Sequence, residues 1–113
     1  MRAAAKTQLD YMLGSTGRSF VCGFGENPPV QPHHRGASCP DIPEPCGQED
    51  LNKLEPNPHV LYGALVGGPD FTDLYHDNRS DYVQNEVALD YNAGYQGLLA
   101  AVIQLDLAES DEN

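Results

Sequence analysis

The stretch YHDNRSDYVQNEVALDYNA, residues 75–93, gathers carboxylates and tyrosines directly before an apolar helical pattern. Its acidic and aromatic residues are Asp77, Asp81, Glu86, Asp90, Tyr75, Tyr82 and Tyr91. Burial of several carboxylates close together raises the pKa of some of them. An acid catalyst that works near neutral pH needs such a raised pKa. A solvated acidic loop that leads into a helix is the simpler interpretation, and without further context we favour it. The sequon Asn78-Arg79-Ser80 within the stretch is expected to be unused.

A helix is predicted after this stretch, because apolar residues recur at spacings of four, four, three, four and three. These residues are Val87, Tyr91, Tyr95, Leu98, Val102 and Leu105. Asn85 is the predicted N-cap of this helix. The polar and acidic tail, residues 106–113, is predicted to be frayed.

The chain opens with a second helical pattern, over residues 3–13. Its apolar face consists of Ala5, Leu9, Met12 and Leu13, and Gly14 is predicted to end the helix. No capping residue precedes this helix, and its sequence lacks the continuous apolar segment of a signal peptide. Two helices with one apolar stripe each have too few partners for a core of their own. We therefore expect the chain to be part of a longer polypeptide.

Between the two helices the sequence is rich in proline and glycine. Residues 19–25, SFVCGFG, are predicted to form either a short strand or an irregular buried segment. Residues 26–58 contain eight of the nine prolines, a density that neither a helix nor a central strand tolerates. A loop of this length without regular structure is uncommon unless it is functional or disordered, and its varied composition favours function.

The charge of the chain limits its partners. Its 113 residues are enough for one modest domain and carry a formal net charge of −11. Nucleic acids and anionic membrane surfaces repel such a chain, so neither is a predicted partner. The sequence contains no run of about 18 apolar residues that would span a membrane.

The proline-rich loop presents His33, His34 and Arg35 in succession. A loop stiffened by proline loses little conformational entropy on binding, so these side chains are suited to hydrogen-bond a polyhydroxylated ligand. A surface loop whose histidines and arginine meet only solvent is an equally good interpretation of the same residues.

The cysteines admit two interpretations. The residue types that bind zinc occur at His33, His34, Cys39, Cys46 and His59, but their spacing is not that of a zinc site, so neither a metal nor another cofactor is predicted. In a secreted protein, Cys39 and Cys46 would more readily form a local disulfide. Cys22 would then remain as a buried free thiol.

Two blocks of sequence carry a resemblance to a known family. The first, SFVCGFGENPPVQPHHR at residues 19–35, contains G-x-N, four residues, then P-H-x-R. The second, residues 75–93, contains aromatic-x-D, four residues, an aromatic, three residues, E-x-A, three residues, then N-A. Together with residues 56–70 they resemble the end of the catalytic domain of glycoside hydrolase family 9, the endoglucanase (cellulase) family. The cysteine-containing segments look most like its animal members.

The resemblance implies a fold and a reaction. The fold is an (α/α)6 barrel of helical hairpins, of which this chain would supply the last helices and long active-site loops. The reaction is the hydrolysis of internal β-1,4-glucosidic bonds of cellulose with inversion. Glu86 matches the general acid, Asp77 the second acidic residue of that motif, and His33 the active-site histidine. Arg35 and Tyr91 match positions that contact the sugar.

One feature of the family has no counterpart in this sequence. It is the Asp-rich motif that supplies the base for water activation. The resemblance therefore implies a C-terminal part of the catalytic domain, inactive alone, from a secreted and monomeric enzyme that binds cellulose or β-1,4-glucan oligosaccharides. Two alternatives stay open: a non-catalytic remnant that binds such oligosaccharides, and an unrelated small acidic protein with a structural disulfide that binds a partner.

Overall fold

The structure, a computed structural model, describes residues 2–111, and its regular elements are helices. They are α1 Arg2–Met12, α2 Arg35–Ser38, α3 Gln48–Asn52, α4 Tyr82–Asn85 and α5 Leu89–Asp111. Within residues 2–111 extended segments meet only at isolated bridges, which join Val21 with Leu65, His33 with Glu86 and Val66 with Val87. The prediction of an all-α protein is confirmed. None of the five helices is long and apolar enough to cross a bilayer.

The two long helices, α1 and α5, pack against each other and build the main apolar cluster. Leu9 of α1 is buried with Tyr95 and Val102 of α5. An ion pair between Arg2 and Glu109 joins the distal ends of the same two helices. α1 lies where the apolar periodicity predicts it, and so does α5 from Leu89 onward. A stripe at this spacing is stable only when a partner covers it.

Gly14 ends α1 as predicted. Its φ of +104° lies in the left-handed region, which glycine adopts at the lowest cost, and its N–H donates to the Tyr11 carbonyl at 3.1 Å. A Cβ at this position would lie 3.0 Å from the backbone nitrogen of Glu26. The turn therefore has room only for glycine.

A second apolar cluster lies beside the first and contains Phe20, Cys22 and Val66. The Cys22 N–H donates to the Ala64 carbonyl at 2.9 Å, and the Val66 N–H donates to the Phe20 carbonyl at 3.1 Å. Residues 19–22 therefore form an irregular buried segment, one of the two predicted alternatives, that pairs with residues 64–66 without becoming a strand. Residues 23–25, which the prediction included, are exposed.

The start of the last helix differs from the prediction. Asn85 is the final residue of α4 and not the N-cap of α5, which begins four residues later at Leu89. The cap of α4 is Asp81, whose Oδ1 accepts from the N–H groups of residues 83 and 84. Glu86 and Val87 are drawn into bridges with distant segments, and this long-range pairing interrupts what local periodicity predicts as one helix.

Two further predictions about regular structure are wrong. Residues 106–111 are helical, because α5 continues to Asp111, and residues 112 and 113 lie outside the described residues. The proline-rich loop contains α2 and α3 rather than being wholly irregular. Each short helix has its own cap: the Ala37 N–H donates to His34 Nδ1 at 3.2 Å, and the Gly47 N–H donates to an Asp50 carboxylate oxygen at 2.8 Å.

The described chain is elongated. Its radius of gyration is 16.2 Å and its extents are 57 × 33 × 22 Å, whereas a compact domain of this length has a radius of about 13 Å. Large apolar side chains are exposed along it, among them Phe71 at 100%, Leu89 at 92% and Tyr62 at 81%. No part of residues 2–111 covers these side chains.

Cys22 is predicted to be chemically inert in the native protein. It is 1% exposed, and burial, with the nearby Asp77 charge as a smaller cause, raises the pKa of its thiol to about 11. At pH 8 only about one thiol in a thousand is then a thiolate, the form that reacts. Iodoacetamide at pH 8 should leave Cys22 unmodified in the native protein and label it after unfolding, as checked by peptide mass spectrometry. Rapid labelling of the native protein would show that this segment opens.

Candidate active site

The two sequence motifs meet at one point of the structure. The His33 N–H donates to the Asn85 carbonyl at 2.7 Å, and His33 pairs with Glu86 in a parallel bridge. Glu86 is exposed and caps the C-terminus of α4 in an extended conformation, with φ −63° and ψ 140°. Main-chain pairing thus fixes the position of an accessible carboxyl group beside a half-buried imidazole.

The ring of His33 is oriented by a main-chain carbonyl. Its Nδ1 lies 2.6 Å from the carbonyl oxygen of Arg79. A carbonyl can only accept, so Nδ1 carries the hydrogen and donates it. Nε2 is then the nitrogen that remains for a ligand. The ring of Tyr82 stands edge-on to the imidazole, with 6.2 Å between the centroids.

Asp77 holds the segment that leads to His33. Its Oδ2 accepts from the Val30 N–H at 2.8 Å and its Oδ1 from the Gln31 N–H at 2.9 Å. Arg18 approaches Oδ2 at 3.5 Å, and the Asp77 side chain is only 15% exposed. Both carboxylate oxygens of Asp77 therefore already have partners within this chain.

A cleft of about 370 Å³ lies beside these residues. His33, Arg35, Gln48 and Asp50 are among its lining residues. Arg35 is exposed at the first position of α2, where its guanidinium can meet a polar ligand. Tyr91 lies on α5 outside the lining of this cleft and is 37% exposed.

The disulfide between Cys39 and Cys46 joins the segments that carry α2 and α3. The two Cα atoms lie 5.3 Å apart, and Cys46 lines the cleft. As half-cystines neither sulfur is a thiolate, so neither is available as a zinc ligand. The bond closes a short loop and so limits the movement of both short helices.

Arg79 is one of two structurally important residues that sequence reasoning does not single out. It is 2% exposed and is the largest fully buried side chain among the described residues. Its guanidinium donates to the carbonyls of residues 50, 53 and 55 and to the Asn57 side chain. Burial lowers the pKa of the guanidinium, an effect that the nearby carboxylates oppose. The only available signal was that Arg79 is the single Arg or Lys of residues 75–93.

Asn92 was also missed, although it is a fixed position of the second motif. Its Oδ1 accepts from the Leu65 N–H at 3.0 Å, and its Nδ2 donates to the Gly63 carbonyl at 2.8 Å. These bonds fasten residues 63–65 to the first turns of α5. The requirement for asparagine at this position is therefore structural.

Comparisons with known proteins agree on one family. The sequence model of glycosyl hydrolase family 9 matches residues 1–99. Endoglucanase A of Bacillus pumilus is 47% identical over 100 residues, which are 87% of this chain and 14% of that protein. An endoglucanase of Dictyostelium discoideum is 46% identical over 98 residues, which are 85% of this chain and 13% of that protein.

Solved structures give the same result. The endoglucanase of the termite Nasutitermes takasagoensis superposes with a TM-score of 0.85 and 62% identity, over 89% of this chain and 23% of that one. Endoglucanase CelQ of Clostridium thermocellum, solved with cellobiose and cellotriose, superposes with a TM-score of 0.70 and 52% identity, over 86% of this chain and 16% of that one. The chain thus spans less than a quarter of these relatives. Because the matches cover most of its own length, it belongs to glycosyl hydrolase family 9, and its helices form part of an (α/α)6 barrel.

Proposed function

We propose that this chain supplies the general acid and part of the cleft of an endo-β-1,4-glucanase that acts on cellulose with inversion. The observation that carries the proposal is the pairing of His33 with Glu86, which brings the two family motifs to one point. The endoglucanase names of the relatives support the reaction class. In this role Glu86 protonates the departing glycosidic oxygen.

The base is proposed to lie elsewhere in a longer polypeptide. An inverting glycosidase needs a second carboxylate about 6.5–9.5 Å from its acid, with water between them. Two nearby carboxylates already have structural partners: Asp77 accepts from two main-chain N–H groups, and Asp81 caps α4. Asp90 is exposed in the first turn of α5. Because the Asp-rich motif that supplies the family's base has no counterpart in this sequence, we expect the base from another segment and expect this chain alone to be inactive.

The remaining motif residues are proposed to bind the sugar. His33 offers Nε2 to a hydroxyl group, because its Nδ1 is occupied by the Arg79 carbonyl. Arg35 donates from the wall of the cleft, and Tyr91 offers a partly exposed ring to a sugar face. Asp77 keeps the His33 segment in place.

The full-length enzyme is proposed to be secreted and most similar to animal members of the family. The disulfide between Cys39 and Cys46 supports secretion, because such bonds persist in oxidising compartments. The termite enzyme is 62% identical, compared with 52% for the clostridial enzyme, and this difference supports the animal affinity.

The proposal predicts opposite results for two proteins. The 113-residue chain should release no reducing sugar from carboxymethylcellulose, whereas the full-length protein should release it steadily.

Proton NMR of fresh product from the full-length protein should show the α-anomer first, because inversion converts a β-linkage into an α-hemiacetal. Initial formation of the β-anomer would contradict inversion. Binding of cello-oligosaccharides by the full-length protein without any hydrolysis would favour the non-catalytic remnant instead.

A further inference from the structure

The buried guanidinium of Arg79 ties one loop together. Its Nε donates to Asn57 Oδ1 at 2.5 Å, and its two terminal nitrogens donate to the carbonyls of Asp50, Lys53 and Glu55 at 2.7–2.9 Å. A planar guanidinium has donors in fixed directions, so it can hold several acceptors at once. All four acceptors belong to residues 50–57, so one side chain determines the course of that loop.

The same residue contacts His33 through its main chain. The carbonyl oxygen of Arg79 accepts the Nδ1 hydrogen of His33 at 2.6 Å. Asn57, which binds the guanidinium, also donates from Nδ2 to the Pro32 carbonyl at 3.0 Å and from its N–H to the Val30 carbonyl at 2.8 Å. A closed ring of contacts therefore runs from Arg79 through Asn57 and Pro32 to His33 and back to Arg79.

We propose that Arg79 is a positioning residue that fixes the orientation and tautomer of His33, leaving Nε2 directed to the substrate. This inference rests on the proposed function of His33 in sugar binding. Movement of the Arg79 main chain would release Nδ1 and allow the hydrogen to move to Nε2, which would change an acceptor into a donor at the point of sugar contact. The side chain of Arg79 thus acts on the cleft without entering the reaction.

Arg79→Lys in the full-length protein tests the proposal. A single ammonium cannot reach four acceptors that are spread around a guanidinium, so the main chain at residue 79 should lose its anchor. With selectively ¹⁵N-labelled histidine, NMR of the wild type at a pH where the ring is neutral should show His33 protonated at Nδ1. The variant should show a mixture of tautomers. Its kcat on cello-oligosaccharides should fall roughly 10- to 100-fold, with KM much less affected.

Val102→Ala is the matched control, because it weakens the α1–α5 core without contacting the Arg79 network. It should retain the Nδ1–H tautomer. If Arg79→Lys does not fold, Asn57→Leu breaks the same ring of contacts and is judged by the same signal. An unchanged tautomer in the folded variant, or its loss in Val102→Ala as well, would overturn the proposal. If His33→Ala leaves hydrolysis intact, the proposed role of His33 fails, but the spectrum still decides whether Arg79 orients the ring.

Discussion

Glu86→Gln in the full-length protein is expected to lower kcat on cello-oligosaccharides roughly 10²- to 10⁴-fold while the Kd for the same oligosaccharides changes little. Glutamine has nearly the same shape but no proton to give to the departing oxygen. Glu86 is exposed at the end of α4, where its position is set by main-chain pairing with His33 rather than by a side-chain contact that the structure records. Steady-state kinetics and calorimetric titration with cellotetraose measure the two quantities.

The loss should depend on the leaving group. In an aryl cellobioside with an acidic phenol, the phenolate leaves without being protonated. Glu86→Gln should therefore hydrolyse this substrate at nearly the wild-type rate. Glu44→Gln, the same chemical change at an exposed loop position, should leave both substrates unaffected. An equal loss on both substrates would remove Glu86 from the acid role, because a proton donor matters only when the leaving group needs the proton.

The long helices are predictable from the sequence because their signal is local. Tyr95 and Val102 are spaced for one helix face, and the structure buries both against Leu9 of α1. Gly14 ends α1 for an equally local reason, its positive φ. Periodicity alone finds such elements, since the residues that specify them lie within a few turns of one another.

The start of α5 is not predictable in this way. Val87 fits the apolar stripe, yet the structure pairs it with Val66, which lies in a distant part of the sequence. Glu86 is likewise paired with His33. These contacts replace the first helical turn that periodicity predicts and place Glu86 after a short helix instead of within a long one. Tertiary pairing overrides local propensity at the point where the two motifs meet.

Motif spacing finds residues that have a fixed chemical type, and it misses those that act through burial. The resemblance assigns Asp77 a catalytic position, but spacing could not reveal that both of its oxygens accept from main-chain N–H groups. Arg79 lies at a variable position of the motif, and its burial depends on carbonyls supplied by residues 50–55. Those acceptors become neighbours only after folding.

Asn85→Leu is expected to destabilise the full-length protein by about 2–4 kcal/mol. Asn85 is fully buried; its Oδ1 accepts from the Tyr75 hydroxyl at 2.5 Å, and its Nδ2 donates to the carbonyls of His76 at 2.8 Å and Asp81 at 3.2 Å. Leucine has a similar volume but removes the partner of the Tyr75 hydroxyl and of the His76 carbonyl. Because both hydrogen bonds are only partly buried, each loss should cost near the lower end of about 1–3 kcal/mol. Urea unfolding measures the change, and activity should fall with it, because Glu86 is the next residue.

Two further variants separate this effect from a general intolerance of leucine. Asn52→Leu makes the same change at an exposed position at the end of α3 and should alter stability by no more than about 0.5 kcal/mol. Tyr75→Phe removes only the hydroxyl that donates a hydrogen bond to Asn85. It should therefore lower the free energy of unfolding by less when residue 85 is already leucine. If the two effects simply add, the Tyr75–Asn85 hydrogen bond contributes nothing, and the buried amide would act through its main-chain partners alone. Coupling of about 1 kcal/mol would instead show that the Tyr75 hydroxyl and the Asn85 side chain stabilise the protein together.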